Sequence, residues 1–165
     1  MNYLIDSMRP EDCESVLAIY AEGIATGQST FETNLPDWQH WDAGHLDVCR
    51  LVARDGKRIL GWAALSPVSR RQVYAGVAEV SVYIAAVARG QGVGKALMAA
   101  LIEAAEASGF WTLQSSVFPE NQASIALHLN QGFRELGRRE RVAKLHGVWR
   151  DTVLLERRSQ IAGID

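Results

Sequence analysis

Chemistry needs particular groups held at fixed spacing, and the densest such set lies between Glu79 and Lys95. A run rich in β-branched and aromatic residues, about Ala78 to Ile84, leads into the turn Arg89-Gly90-Gln91-Gly92-Val93-Gly94-Lys95, and a helical pattern follows. Strand, glycine turn and helix make a layout for binding an anion. The turn lets the backbone approach closely, and the first helical N–H groups and the dipole point at the ligand. Two nucleotide readings fail. A phosphate loop GxxxxGK followed by Ser or Thr needs glycine where Arg89 stands and a hydroxyl where Ala96 stands. A dinucleotide fingerprint starting at Gly90 needs glycine where Lys95 stands. What remains is Arg89-x-x-Gly92-x-Gly94 straight after a strand, either a ligand cradle or a turn that only caps a helix.

Other groups open two readings each. Glu79 begins the strand Val77-Ala-Glu-Val-Ser-Val-Tyr-Ile84, where a carboxylate is either solvated at a sheet rim or placed for proton transfer. A second constellation is Asn121-x-x-Ser124-x-x-Leu127-His128-x-x-x-Gly132-Phe133. Asn121 is a plain N-cap or a cap that also reaches a ligand. His128 is a packing histidine or an acid. Phe31, in the polar stretch Gln28 to Asn34, is a loop anchor or a pocket wall. Arg70 and Arg71, in the basic connection Val68 to Gly76, are solvated or bind an anion. The two cysteines, Cys13 and Cys49, have no metal-site spacing and fall in apolar-periodic segments, as reduced packing residues do.

The elements that must position these groups follow from the pattern. Tyr3 to Ile5 reads as a strand, and Pro10-Glu11-Asp12 as a helix start with Cys13, Val16, Leu17, Tyr20 and Ile24 on one face. Pro36 to Leu46 is a second helix. Val48 to Arg54 and Arg58 to Leu65 are strands joined across Asp55-Gly56, a dipeptide favoured in tight hairpins. The central strand and a helix from Gly92 to Ser108 come next, then a strand Trp111 to Val117 and a helix Asn121 to Gln131. Arg134 to Val142 and Trp149 to Glu156 are strands around a turn at His146-Gly147, and the tail beyond Arg158 is expected to fray. The order β-α-α-β-β-β-α-β-α-β-β implies an α/β chain with a mixed sheet and helices on its faces. At 165 residues, 48% apolar and 22% charged, it suits one domain, residues 1–158 as core and 159–165 as tail. A net charge of -2 carries no footprint for nucleic acid or an anionic membrane. No apolar run approaches the ~20 residues that cross a bilayer, and the N-terminus lacks a signal-peptide pattern, so a cytoplasmic location is expected.

The glycine turn and the Asn121 to Phe133 constellation, at this distance and in this element order, resemble the GNAT family of N-acetyltransferases over nearly the whole chain. The resemblance implies a mixed, mostly antiparallel sheet with helices on both faces, its strands splayed where acetyl-CoA binds. It further implies that Arg89, Gly90, Gln91, Gly92, Val93, Gly94 and Lys95 hold the pyrophosphate and that the backbone of Val82, Tyr83 and Ile84 meets the pantetheine. Asn121, Ser124 and His128 then approach the cofactor from the later helix. Ala78-Glu79-Val-Ser81-Val-Tyr83-Ile resembles the phosphinothricin acetyltransferase branch, which implies Glu79 as general base, with His128, or less directly Tyr83, as acid for the departing thiolate. The branch's substrates are small amino acids with a tetrahedral, oxygen-rich head: phosphinothricin, arsinothricin, methionine sulfoximine and methionine sulfone. The same resemblance points to Phe31, Glu32, Thr33, Arg70, Arg71, Tyr74, Glu79 and Ser81 as substrate-binding residues, and to a homodimer in which the His146 to Asp151 segment completes a pocket. The opening of the 66–76 connection departs from relatives, which bears on the acceptor more than on the reaction.

The reading is an acetyl-CoA-dependent transferase acting on the amine of a small toxic amino acid, with no metal, conferring resistance by direct transfer. Neither cysteine adjoins the cofactor strand, so a covalent route lacks a nucleophile. Two rivals remain at this stage: an acetyltransferase for a polyamine, aminoglycoside or protein N-terminus, and a non-catalytic acyl-CoA-binding module. Cationic acceptors favour an acidic pocket, whereas the loop before Glu79 is basic.

Overall fold

The computed structural model describes residues 2–165, and one seven-stranded sheet organises them. The strands are β1 (Leu4–Ser7), β2 (Leu51–Asp55), β3 (Arg58–Pro67), β4 (Val77–Ile84), β5 (Thr112–Val117), β6 (Arg134–Leu145) and β7 (Val148–Arg158). Their spatial order is β1-β2-β3-β4-β5-β7-β6. Every neighbouring pair is antiparallel except β4 and β5. The helices are α1 (Cys13–Ala25), α2 (Trp38–Gly44), α3 (Val93–Ala107) and α4 (Gln122–Asn130). A short 3-10 turn, Pro10–Asp12, leads into α1, so the proline start lies one turn ahead of the α-helix proper.

The parallel pair holds the decisive irregularity. Pairing between β4 and β5 covers Val77↔Thr112, Ala78↔Leu113 and Glu79↔Gln114, and stops there. Beyond Glu79 the two strands part, so β4 from Val80 to Ile84 has β3 on one side and no strand on the other. Buried main-chain polar groups seek partners; here one edge of β4 is left for a ligand.

The core is packed on both faces of β3. Trp62, Ala63, Ala64 and Leu65 are buried, with Leu97, Met98 and Leu101 of α3 and Val16 of α1 against the sheet. Seating Leu97, Leu101 and Ala105 inward fixes the direction of α3 and therefore where its N-terminus points. Near the other edge, Arg54 of β2 bridges Asp6 at 3.0 Å and buried Asp12 at 2.8 Å, tying β1 to the start of α1.

The C-terminal tail does not fray as expected. Ser159 and Ala162 are buried, and the Ser159 hydroxyl donates to Glu106 at 2.9 Å while accepting from the backbone of Ile161 and Ala162. Arg157 completes the tie to Glu106 at 2.7 Å. The hydroxyl at Ser159 gives the tail a reason to turn back that hydrophobic periodicity does not register.

Candidate active site

Where β4 and β5 part, a cleft of about 1050 Å³ opens across the molecule. One end is the glycine turn. Gly90 and Gly92 have φ of +73° and +82°, and Gly92 caps α3, whose first residue is Val93. A Cβ built on either glycine meets nothing within 4 Å, so the open space in front of the turn is available to a ligand. A left-handed backbone costs a residue with a side chain roughly 1–2 kcal/mol, which is why this turn needs glycine. Arg89, Gly90, Gly92, Val93, Gly94 and Lys95 line the cleft; Gln91 instead turns its amide to Val87 O at 3.0 Å. The side chain of Arg89 donates to Ile84 O at 3.3 Å, bracing turn to strand.

Along the middle run Val82, Tyr83 and Ile84 of β4, facing Ser115, Ser116 and Val117 of β5 across the gap. Tyr83 packs against Trp62 at 5.0 Å and Tyr20 at 4.9 Å. It also lies so close to α1 that a Cβ on Gly23 would sit 2.6 Å from its ring. Burial pushes the Tyr83 phenol well above its ordinary value, with Tyr20, Glu32 and Glu79 adding to the effect. It stays protonated and offers a donor hydrogen.

Asn121 and His128 occupy the α4 wall. The Asn121 Oδ1 accepts from Ser124 N at 3.2 Å as an N-cap, and its Nδ2 donates to Gln28 O at 3.1 Å. The cap therefore also ties down the 26–33 loop, leaving one amide hydrogen for a ligand. His128 is buried, and its Nδ1 lies 2.6 Å from Ser124 O. A carbonyl can only accept, so Nδ1 carries the proton and Nε2 the lone pair. Burial pushes this imidazole below its ordinary value. Neutral His128 thus presents an acceptor at Nε2, which has no protein partner among the described residues. That protonation state is the reverse of the one an acid for the thiolate requires.

The far end is made from scattered segments. Glu79 and Ser81 come from β4, Ser66 from β3, and His40, Trp41 and His45 from α2 and the residue after it. The loop supplies Thr30, Phe31 and Glu32. Phe31 is anchor and wall together, edge-on to Phe118 at 4.9 Å while lining the cleft. Arg150 lies over Phe118 at 4.1 Å and donates to Gly27 O and the Gln28 side chain, holding the loop from β7. Thr33 is exposed and outside the lining. So are Arg70, Arg71 and Tyr74, where the Arg71 guanidinium stacks over Tyr74 at 5.6 Å. The sequence does not single out Tyr20, Trp41, His45 or Thr152 for this cleft. Their only signal there is aromatic or polar type, and nothing local links them to Glu79. Cys13 and Cys49 are free and do not line it.

The cleft's shape fits an acyl-CoA: an anion cradle, then a free strand edge, then a carboxylate. Over residues 21–133 the sequence matches the model of the acetyltransferase (GNAT) family. The chain belongs to that family. A phosphinothricin N-acetyltransferase of Alcaligenes faecalis is 38% identical to it over 157 residues, 91% of this chain and 79% of the relative. An L-methionine sulfoximine/L-methionine sulfone acetyltransferase of Pseudomonas paraeruginosa is 31% identical, covering 88% of each. The crystal structure of a phosphinothricin acetyltransferase from Sinorhizobium meliloti in complex with AcCoA superposes with a TM-score of 0.88 at 28% identity, covering 100% of this chain and 92% of that one. This GNAT chain is an acetyl-CoA-dependent N-acetyltransferase. No helix among its described residues is long and apolar enough to cross a membrane.

Proposed function

We propose that this acetyltransferase acts in the cytoplasm on the α-amino group of a small toxic amino acid such as phosphinothricin, arsinothricin or methionine sulfoximine or sulfone, conferring resistance, with Glu79 as general base. The observation that carries the reading is the position of Glu79: the last β4 residue paired to β5, half-buried, opening on the cleft beside the unpaired strand edge. The names of these two relatives, the phosphinothricin and the methionine sulfoximine/sulfone acetyltransferases, supply the acceptor class.

Bound acetyl-CoA supplies an activated acyl group, and the chain's residues do the rest. Gly90, Gly92 and the α3 N-terminus hold the pyrophosphate. Free β4 N–H groups near Val82 to Ile84 align the pantetheine and polarise the thioester carbonyl. Glu79 accepts the proton that a mostly protonated amine must lose before it can attack. The leaving thiol has a pKa of roughly 8.5, so it needs no strong acid. Tyr83 serves as a hydrogen-bond donor, and His128, its Nδ1 donating to Ser124 O, offers a free acceptor at Nε2 on the α4 wall.

An amino-acid acceptor brings a carboxylate, yet the acceptor end of the cleft holds Glu32 and Glu79 and no lysine or arginine. We infer that Arg70, Arg71 and Tyr74 serve a second copy's cleft in a homodimer. Val73, Tyr74, Val148 and Trp149 are exposed apolar residues that such pairing can cover. E79Q and R70A/R71A proteins, each expected to be severely impaired alone, are then expected to regain up to a quarter of native turnover when mixed under subunit exchange. Failure to regain any sinks the dimeric site.

The direct test is acetyl-CoA consumption with phosphinothricin, arsinothricin, methionine sulfoximine, methionine sulfone and a polyamine. Turnover with at least one amino acid and little with the polyamine is expected. No turnover with any of the four amino acids removes the substrate assignment and leaves the acetyltransferase fold standing.

A further inference from the structure

Beyond Ala63, β3 loses its β2 neighbour: the β2–β3 pairing ends at Leu51↔Ala63, and Leu46 N takes the next place with a 2.8 Å bond to Leu65 O. On its other side β3 sets Ser66 against Glu79. His45 therefore stands beside the β3 edge at the level of Glu79, and both line the acceptor end of the cleft with Ser66 and Ser81.

The ring of His45 is held on three counts. Its Nδ1 lies 2.6 Å from Trp41 O, it stacks on the Trp41 indole at 4.0 Å, and it meets Trp62 edge-on at 5.9 Å. Its backbone is pinned too, because Arg50 donates to His45 O at 3.1 Å and Leu46 O at 2.6 Å. With Nδ1 donating to a carbonyl, Nε2 is left as a lone pair with no partner among the described residues. A primary ammonium carries three N–H donors and requires more than one acceptor when it leaves water.

We propose that His45 is an acceptor-binding residue whose Nε2 takes a hydrogen bond from the amine that Glu79 deprotonates, so that the reacting nitrogen is held between the two. This rests on the reading of the acceptor as an amino acid's amine. The amine gives one N–H to Nε2 and yields a proton to Glu79, and its lone pair is then free for the thioester carbon. His45 needs to be neutral for this, and burial pushes its imidazole below the ordinary value, with Arg50 adding to that, while the hydrogen bond to Trp41 O and the Asp42 charge pull the other way. The other titratable groups at this end are His40 of α2, Tyr20 of α1, Glu32 of the loop, and Glu79 and Tyr83 of β4.

Two variants test it by steady-state kinetics with phosphinothricin and methionine sulfone. H45F keeps an aromatic ring against Trp41 and removes the lone pair. Its KM for the amino acid is expected to rise about tenfold, the loss of one hydrogen bond to a charged group, with KM for acetyl-CoA unchanged. H45Q restores an acceptor oxygen that does not titrate. It is expected to recover most of the affinity and to abolish the rise in amino-acid KM expected of the native protein as pH falls through the imidazole pKa. An amino-acid KM that is native in H45F, or a pH-dependent rise that persists in H45Q, overturns the proposal. H45Q decides the matter alone where H45F does not fold. Native protein inactive on every amino acid defeats the substrate reading itself; native turnover matched by both variants defeats only the role of His45.

Discussion

At the glycine turn the cleft is walled by main chain, and at the acceptor end by side chains drawn from five separate segments. The turn end needs only two left-handed glycines, a helix N-terminus and a strand whose pairing stops at Glu79. The acceptor end needs Phe31 seated on Phe118, Arg150 and Asn121 holding the loop, and His45 and Glu79 brought together across β3. A backbone site recognises what all acyl-CoA molecules share, whereas a side-chain site can be rebuilt for a new acceptor without disturbing it. The difference separates an end that binds from an end that chooses.

Substitutions at the two ends are expected to part along the same line. The largest effect is at Glu79: E79Q lowers kcat/KM about 10²-fold near neutral pH, with acetyl-CoA binding by calorimetry unchanged. If E79Q also weakened acetyl-CoA binding, the ends would not be independent. At the other end, G92V puts a branched side chain at φ +82°, a strain of roughly 1–2 kcal/mol. About a tenfold rise in KM for acetyl-CoA and no change in KM for the amino acid is the expected signature. Asn121 joins the ends, since it caps α4 and holds Gln28. N121A is expected to cost about 1 kcal/mol of stability by chemical denaturation and to raise amino-acid KM several-fold through the loosened loop.

The smallest effect concerns pH. His45 and His128 are both depressed by burial. Their unfolded counterparts, with pKa near 6.5, protonate first as pH falls. Stability is therefore intact above about pH 6.5 and is lost below it, toward the depressed folded pKa values. Melting temperatures of native and H128Q proteins between pH 7.5 and 5, read as the slope rather than the absolute value, are expected to show a shallower fall in the variant. Equal slopes would mean that His128 carries no such linkage.

Most of the fold was legible because its signals are local. The Asp55-Gly56 hairpin, the Gly109 and Gly132 helix stops, the Asn121 cap and the inward Leu97 and Leu101 each lie within one turn or one strand of the residue they govern. The bounds of α2 and β2 came out shorter than the pattern suggested, since Val48 is exposed and Leu46 pairs with β3 outside any regular helix. The tail escaped because its anchor is one hydroxyl on a distant carboxylate, Ser159 on Glu106. At the site, the Tyr83 face, the His128 tautomer and the exposure of Arg70 and Arg71 all depend on what packs beside them.

Sequence alone determined the glycine turn, its helix and the carboxylate on the strand before it, because left-handed backbone, helix caps and strand alternation are properties of short runs of residues. Only the tertiary structure decided that β4 and β5 part just after Glu79, that His128 is an acceptor, and that His45 stands level with Glu79. Those facts depend on burial and on pairing between segments as far apart as Leu46 and Leu65 or Gln28 and Arg150, and no local pattern encodes which distant partner a buried polar atom will find.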